Sequence, residues 1–500
     1  MAPLLAEETT PLLVEARAER RGSLHRDSHN TADFDPNGDP DNPREWPDPF
    51  KWGIVALLAF MAFTVTFTCI SVAPIAHRIV DDLNGDDGSQ SATVLLITIW
   101  ELGEAAGPLL IAPLSEIFGR CPLINVSNVL FIAGTVLAAL SQNTDMFIAA
   151  RALTGMAVSS NVLNPSIVGD IFPPEQRGKA ISLFMFATLV GGTVGPAFSG
   201  AVTQSLGWRA VLWTSVVLAA ACELVFFTCF RETYKVPILR RRAARWRKEA
   251  GSASMTADFG KETGLEKGSA GLRTSVMRPA AVLFGSGVLA VLSIFGSVIF
   301  AYFYIVSVTL PSILEEIYGL SPAAIGSAFL ANGVGSFIGI VICNLCLDRI
   351  YVNLRKANNG IGLPEYRLPL AIVGAFTLPP AVALYGWCAE YGLPLALLLL
   401  SVVWIRLSLM LAFLPLMAYV VDACGLYSAS AITGVIVIRC LAGAFLPLTT
   451  TLMVEHVGYG LGFTVLGALS LVLALVPVAV LRYGSHWRQR SRYTRTAPES

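Results

Sequence analysis

Charge is scarce in this sequence. Asp, Glu, Lys and Arg make up 14% of its 500 residues, where a soluble domain carries about 25%. One large core does not explain the deficit, because surface grows with size and must be covered by polar groups. The apolar residues, 54% of the total, therefore face something other than water. Net charge is missing too: 35 basic residues balance 35 acidic ones, so charge names no partner, and nucleic acid is not expected as one. There is no disulfide or zinc framework. Nine cysteines are scattered, mostly inside apolar runs. Cys343-x-x-Cys346 has a zinc pair's spacing but stands alone within such a run, where small packing residues are the plainer explanation. No GxxxxGK[ST] loop is present, nor a soluble segment large enough to hold one, which disfavours an ATP-driven pump. No catalytic triad or metal cluster is found, so no catalytic residue, metal or cofactor is expected, and the chain does not read as an enzyme. Residues 1–51 lack a signal peptide's apolar core and read as a disordered cytosolic tail. Within them Glu8-Thr-Thr-Pro-Leu12-Leu13 has the form of an acidic dileucine sorting signal.

What is abundant is apolar runs about twenty residues long. Twelve spans fall near 52–73, 92–113, 122–141, 147–169, 178–202, 209–230, 283–310, 321–345, 368–388, 392–415, 427–452 and 460–482. Each can cross about 30 Å of hydrocarbon at about 1.5 Å per residue. Backbone polar groups must pair internally in lipid, so the spans are helices. Runs of this length without alternation exclude a β-barrel. The expected fold is an all-α polytopic membrane protein with twelve transmembrane helices in two pseudo-symmetric six-helix bundles.

Basic residues set the orientation. With the N-terminus in the cytosol, thirty of the 35 lie in inside segments and only Arg78 and Arg209 in outside loops. That bias places both termini inside. The expected layout is a cytosolic tail at 1–51, a bundle at 52–230, a basic cytosolic linker at 231–282, a second bundle at 283–482, and a cytosolic tail at 483–500. The linker's run Arg240 to Lys248 suits contact with anionic lipid, or a plain topology determinant in a solvated linker. Glu116 and Arg120 follow span two, and Asp348-Arg349 follows span eight at the equivalent place, which suggests a repeat.

Small residues recur every four positions in span five: Ala187, Gly191, Gly195 and Ser199, with Pro196 and Gly200 beside them. This makes a flat helix face. A second stripe, Ala323, Ser327, Ala331, Gly335 and Gly339, runs through span eight. Gly191-x-x-x-Gly195-Pro196-x-x-Ser199-Gly200 resembles the fifth-helix antiporter motif of the major facilitator superfamily. Ala112-Pro-Leu-Ser-Glu116-Ile-Phe-Gly119-Arg120 resembles its loop motif between helices two and three, and Arg151-Ala-Leu-Thr-Gly155 its fourth-helix motif. Asp41 to Pro47, Pro364 to Pro369, and Arg439 followed by Pro447 resemble fungal twelve-helix drug:proton antiporters. The resemblance covers residues 41 to about 483. The loop motif departs from the general pattern at Ala112, Glu116, Ile117 and Cys121, which thins the gating network that the resemblance implies.

Charges inside spans cost about 2.5–3.5 kcal/mol each on insertion scales. Glu101 and Glu104 share a face of span two, with Arg151 in span four and Arg439 in span eleven. Span one has no acid. A proton-binding carboxyl is therefore sought at Glu104 or Glu101, with a static Glu–Arg pair joining spans two and four, or two and eleven, as the alternative. The resemblance links Arg151 to proton transfer; snorkelling to the interface is its plainer role. Asn161, Asn164, Tyr302, Tyr304 and Asn332 are candidate cavity residues. Glu116, Gly119, Arg120, Asp170 and Arg177 are expected at a cytosolic gate, with Asp348, Arg349 and Asp422 as counterparts in the second half. The resemblance implies a proton-coupled exporter of small, largely apolar organic molecules, working as a monomer in the plasma or vacuolar membrane of a fungus. Its partners are a small-molecule substrate, protons and the lipid bilayer, and the proton gradient takes the place of a cofactor. Nutrient uptake by proton symport and a non-transporting receptor are the alternatives.

Overall fold

The computed structural model describes residues 34, 39–84, 90–158, 160–173, 176–250, 268–360, 362–491 and 493–494. The dileucine-like pattern at 8–13 lies outside them. The described residues hold helices and no strand. Eleven helices are long and apolar enough to cross a membrane. The fourth crossing supplies the twelfth in two pieces, Thr144–Met156 and Ser160–Ile171. Large apolar side chains such as Leu130, Phe186, Val217, Phe227 and Leu475 are more than half exposed. On a water-soluble surface they would form a sticking patch; here they are the lipid-facing surface.

The first six spans are Asp48–Ile70, Gln90–Phe118, Arg120–Ala139, the broken fourth, Arg177–Leu206 and Trp208–Cys229. The last six are Gly287–Glu316, Pro322–Ala357 with a break at Phe329, Pro369–Glu390, Leu395–Cys424, Ser428–Val457, and Tyr459–Gln489 with a break at Ala474. Span one packs on span five, and span two on span four. The same pattern recurs as seven on eleven and eight on ten. The two halves meet along two seams, span two against span eleven and span five against span eight.

Glycines let these helices touch backbone to backbone. A methyl group on Gly191 or Gly195 would stand 2.5 or 2.9 Å from the carbonyl oxygens of Phe63 and Phe67 in span one. The next turn of the same stripe serves another partner: Gly200 lies against the Pro322 carbonyl and Gly326, and Gly326 against the Pro196 carbonyl. The small-residue face of span five thus divides between its own half and the opposite one. In span eight, Gly335 and Gly339 face Val403, Arg406 and Met410 of span ten.

The segments outside the spans are more ordered than the sequence suggests. In the N-terminal segment the Asp39 carboxylate pairs with Arg242 of the linker. The Trp46 indole donates to the Pro40 carbonyl at 3.1 Å, and Lys51 to the Arg44 carbonyl at 2.6 Å. Among its described residues the linker holds two helices, Lys235–Ala250 and Gly268–Phe284. Leu239, Val282 and Leu283 are fully buried, and this apolar anchoring holds the linker helices to the bundle. The C-terminal end is pinned as well. Arg488 makes two hydrogen bonds to Glu365, at 2.8 and 3.2 Å, with both side chains buried.

Candidate functional site

Span two enters from the end of the bundle opposite the termini. Glu104 lies fourteen residues in from Gln90, about 21 Å deep at about 1.5 Å per residue. Glu101 and Glu104 are 1% and 7% exposed. Three residues apart, they share a helix face, and that face is the seam with span eleven. Arg439 donates to Glu104 Oε1 at 3.0 Å. The Tyr304 hydroxyl of span seven donates to Glu101 Oε1 at 2.5 Å, while Glu101 Oε2 is buried without a partner. Gly443 of span eleven leaves the room that Glu101 fills. Both acids thus reach from the first half to groups of the second.

Trp100 organises the other side. Its indole N–H donates to Glu104 Oε2 at 3.3 Å, and its ring lies under the Arg151 guanidinium at 4.5 Å. Gly155 makes this stack feasible, because a side chain there would strike the Trp100 backbone. Arg151 is 2% exposed, so it does not snorkel. It donates to the carbonyls of Thr68 and Cys69 at 3.2 and 2.9 Å. Those carbonyls belong to the last turn of span one, where a helix leaves its C=O groups unpaired. The span two–four ion pair weighed from sequence is absent among the described residues; the two–eleven pair is the one that forms. Side-chain atoms of Glu101, Glu104 and Cys440 come within 4.8 Å of one another. Arg439, bonded to Glu104 and to Cys440 Sγ at 3.6 Å, puts a fixed cation beside them, which opposes a metal ion.

The cavity candidates separate. Asn332 is buried, and neither amide atom has a partner. Tyr304 joins the acids. Tyr302 turns away and donates to the Leu466 carbonyl of span twelve at 2.7 Å, so it is a packing residue; positions two apart on a helix face different ways. Asn164 bonds the Leu58 carbonyl at 3.3 Å and ties span four to span one. The side chain of Asn161 lies outside the described residues.

The gate residues are brought together, with different partners. Arg120 pairs with Asp170 at 3.5 Å, bonds Ser115, and stacks on Tyr234 at 4.8 Å. Glu116 is exposed without an ion pair among the described residues. Arg177 caps the carbonyls of Gly169 and Phe172, at 2.8 and 3.1 Å, and bonds no acid among the described residues. Glu232, just past span six, accepts from the backbone N–H groups of Arg120 and Cys121 at 2.9 and 3.2 Å. Gly119 has φ +101°, and a Cβ there would strike Glu232. In the second half Arg367 bridges Asp348 at 2.5 Å and Asp422 at 2.9 Å. Burial works against the Arg367 charge, but the hydrogen bonds it donates to both carboxylates hold its pKa above the usual range. Arg349 is exposed and bonds neither acid. The true repeat is therefore Arg120–Asp170 and Arg367–Asp422: a base at the start of the third span of each half bound to an acid near the end of its fourth. Among the described residues no hydrogen bond or ion pair joins one cluster to the other.

The opposite end is tied across the halves. Arg78 pairs with Glu315 at 3.3 Å. Within the first half, Arg209 pairs with Asp82 at 2.9 Å. The Trp208 indole, then Arg209, hold the Asp82 carboxyl below its usual range. Sequence alone missed Trp100, Glu232, Glu365 and Arg367 as partners. Only Glu232 and Glu365 carried a signal, as single acids just beyond span ends.

Two six-helix halves that place ionisable groups along their common seam define a membrane transporter, not an enzyme. The chain belongs to the Major Facilitator Superfamily, whose family model matches residues 54–447. It is 32% identical to the efflux pump radE of Floropilus chiversii over 93% of this chain and 86% of that one. It is also 32% identical to the MFS transporter cpaT of Aspergillus oryzae, over 91% of each. A similar solved structure is a partially occluded, inward-open form of the E. coli xylose transporter XylE. The TM-score is 0.63 at 17% identity, covering 87% of this chain and 98% of that one.

Proposed function

We propose that this protein exports small, largely apolar organic molecules in exchange for protons, by alternating access. The observation that carries it is the seam of Glu101–Tyr304 and Glu104–Arg439 contacts. When the halves part, each carboxyl loses its partner in the second half, and a change of partner changes a carboxyl's affinity for protons. Glu101 is the better proton carrier, because Oε2 is free and no cation bonds it. Glu104 is held by Arg439 and serves as the latch. The basic-residue bias supports termini in the cytosol. The seams named above all lie at the midplane or toward the opposite end, which supports a cavity open to the cytosol, ready to load cargo. The name of the relative radE supports the outward direction. The protein works as a monomer in the plasma membrane, and the cargo is a toxicant or a secondary metabolite.

The test is dye accumulation in cells with and without the protein. Expressing cells are expected to hold less aromatic dye, and a protonophore to erase the difference. Glu101→Gln is expected to remove proton-driven export while leaving downhill exchange of dye for dye. Greater accumulation in expressing cells, abolished by the protonophore, sinks the export reading. Full proton-driven transport in both Glu101→Gln and Glu104→Gln sinks the carboxyl assignment.

A further inference from the structure

We infer that the cargo site in the second half takes an organic anion: a flat, mostly apolar molecule bearing one ionised acidic group, held by Arg406 and Asn332. This rests on the reading of the protein as an exporter of small organic molecules and adds the chemical class of the cargo.

Three arginines lie inside the spans, and the charges of two are met, although each of those two keeps one buried Nε without a partner. Arg439 is met by Glu104. Arg151 is met by the carbonyls that end span one, where a helix carries partial negative charge. Arg406 of span ten has neither. Its Nε donates to Ser336 Oγ of span eight at 3.1 Å, and its guanidinium lies over the Phe303 ring at 4.1 Å. Its Nη1 is buried without a partner, although the residue is only 8% exposed. Asn332 stands one turn before Ser336, on the same face of span eight. It is 4% exposed, and both of its amide atoms lack partners.

Each such orphan costs about 1–3 kcal/mol, so the pair is explained if something absent from the bare protein completes it. A carboxylate fits. It accepts from a guanidinium and from an amide N–H, and a charged acceptor makes the stronger bond. A neutral carbonyl would satisfy the same N–H groups but leave the Arg406 charge uncompensated in an apolar place. The body of the ligand has its own surface: Phe303, Phe300 and Phe413 follow one another at 6.0 and 5.1 Å, which suits a flat apolar or aromatic frame. The depth is right as well. Arg406 is eleven residues in from Leu395 and Asn332 ten from Pro322, each about 15–17 Å at about 1.5 Å per residue.

The test is equilibrium dialysis of the full-length protein in detergent against 2-naphthoate, biphenyl-4-carboxylate and 9-anthracenecarboxylate. Each is paired with its primary carboxamide, which has the same shape and no charge. At least one acid is expected to bind about tenfold or more tighter than its amide, the size of one charge-assisted contact. Arg406→Gln brings that ratio to about one; Arg406→Lys restores part of it, and Asn332→Ala weakens the acid more than the amide. Binding of no acid, equal affinity for every acid and its amide, or a preference that Arg406→Gln leaves unchanged overturns the assignment. Should Arg406→Gln fail to fold, the wild-type ratio together with Asn332→Ala decides. Dialysis needs neither a direction nor a proton gradient, so its failure leaves the export reading standing, and a failed export assay leaves this one standing.

Discussion

At the scale of the residue, the acids and arginines of the spans were legible because each interrupts an apolar run at a cost. Their partners were not: Glu104 and Arg439 stand 335 positions apart, and no local pattern encodes such a meeting. Arg151 shows how a legible residue can hold a role beyond the one expected of it. It closes the end of span one, with Trp100 as a floor. Arg151→Leu is expected to lower stability by about 3 kcal/mol, the worth of one or two charged hydrogen bonds, read as a fall in melting temperature in detergent. The buried pair Glu365–Arg488 gives a cleaner test. Glu365→Leu leaves an uncompensated buried guanidinium and is expected to cost about 3–5 kcal/mol, whereas the double change to Leu at both positions is near neutral. Equal losses in the single and double variants would contradict this.

At the scale of the element, helix existence followed from length and hydropathy, and the breaks did not. The fourth span reads as one apolar run, yet it divides between Met156 and Ser160. Close packing of Gly103 and Gly107 against the backbone of residues 152–156 accompanies the break, and that is tertiary information. The stripe on span five was legible as flat, but its division between two partners was not. The division has a consequence. Gly326 touches the opposite half at the end away from the termini, so Gly326→Val is expected to hold that end apart. Cross-linking by a bifunctional maleimide between cysteines placed at Arg78 and Glu315, whose charged tips now lie 3.3 Å apart, is expected to slow at least several-fold. Unchanged cross-linking would mean that this seam does not set the closed state. Gly119→Ala is expected to destabilise by about 1–2 kcal/mol, through a left-handed backbone angle and loss of room for Glu232.

At the scale of the whole molecule, the repeat was legible as two halves, but its chemistry was placed on the wrong residue. Asp348-Arg349 looks like the counterpart of Glu116 to Arg120 in sequence; in space Arg367 takes the base's part, because the start of span nine, not the end of span eight, faces Asp422. The absence of any bond between the two clusters among the described residues, against the Arg78–Glu315 pair at the other end, predicts which face opens. A cysteine introduced at Asn332, which is buried in this state, is expected to react as the halves move with a hydrophilic maleimide supplied from the side of the termini, and at least several-fold more slowly from the other.

The uncompensated guanidinium of Arg406 also has an electrical consequence. A cargo that leaves as an anion while a proton enters moves two elementary charges in the same sense each cycle. Across 100 mV each is worth about 2.3 kcal/mol, so voltage alone would supply more than a tenfold pH step. In proteoliposomes loaded with an organic acid, a potassium diffusion potential imposed with valinomycin is expected to drive transport at equal pH on both sides, and reversing its sign to stop it. Such a protein would draw a measurable current, and its cargo would be expelled fastest from the best-energised cells.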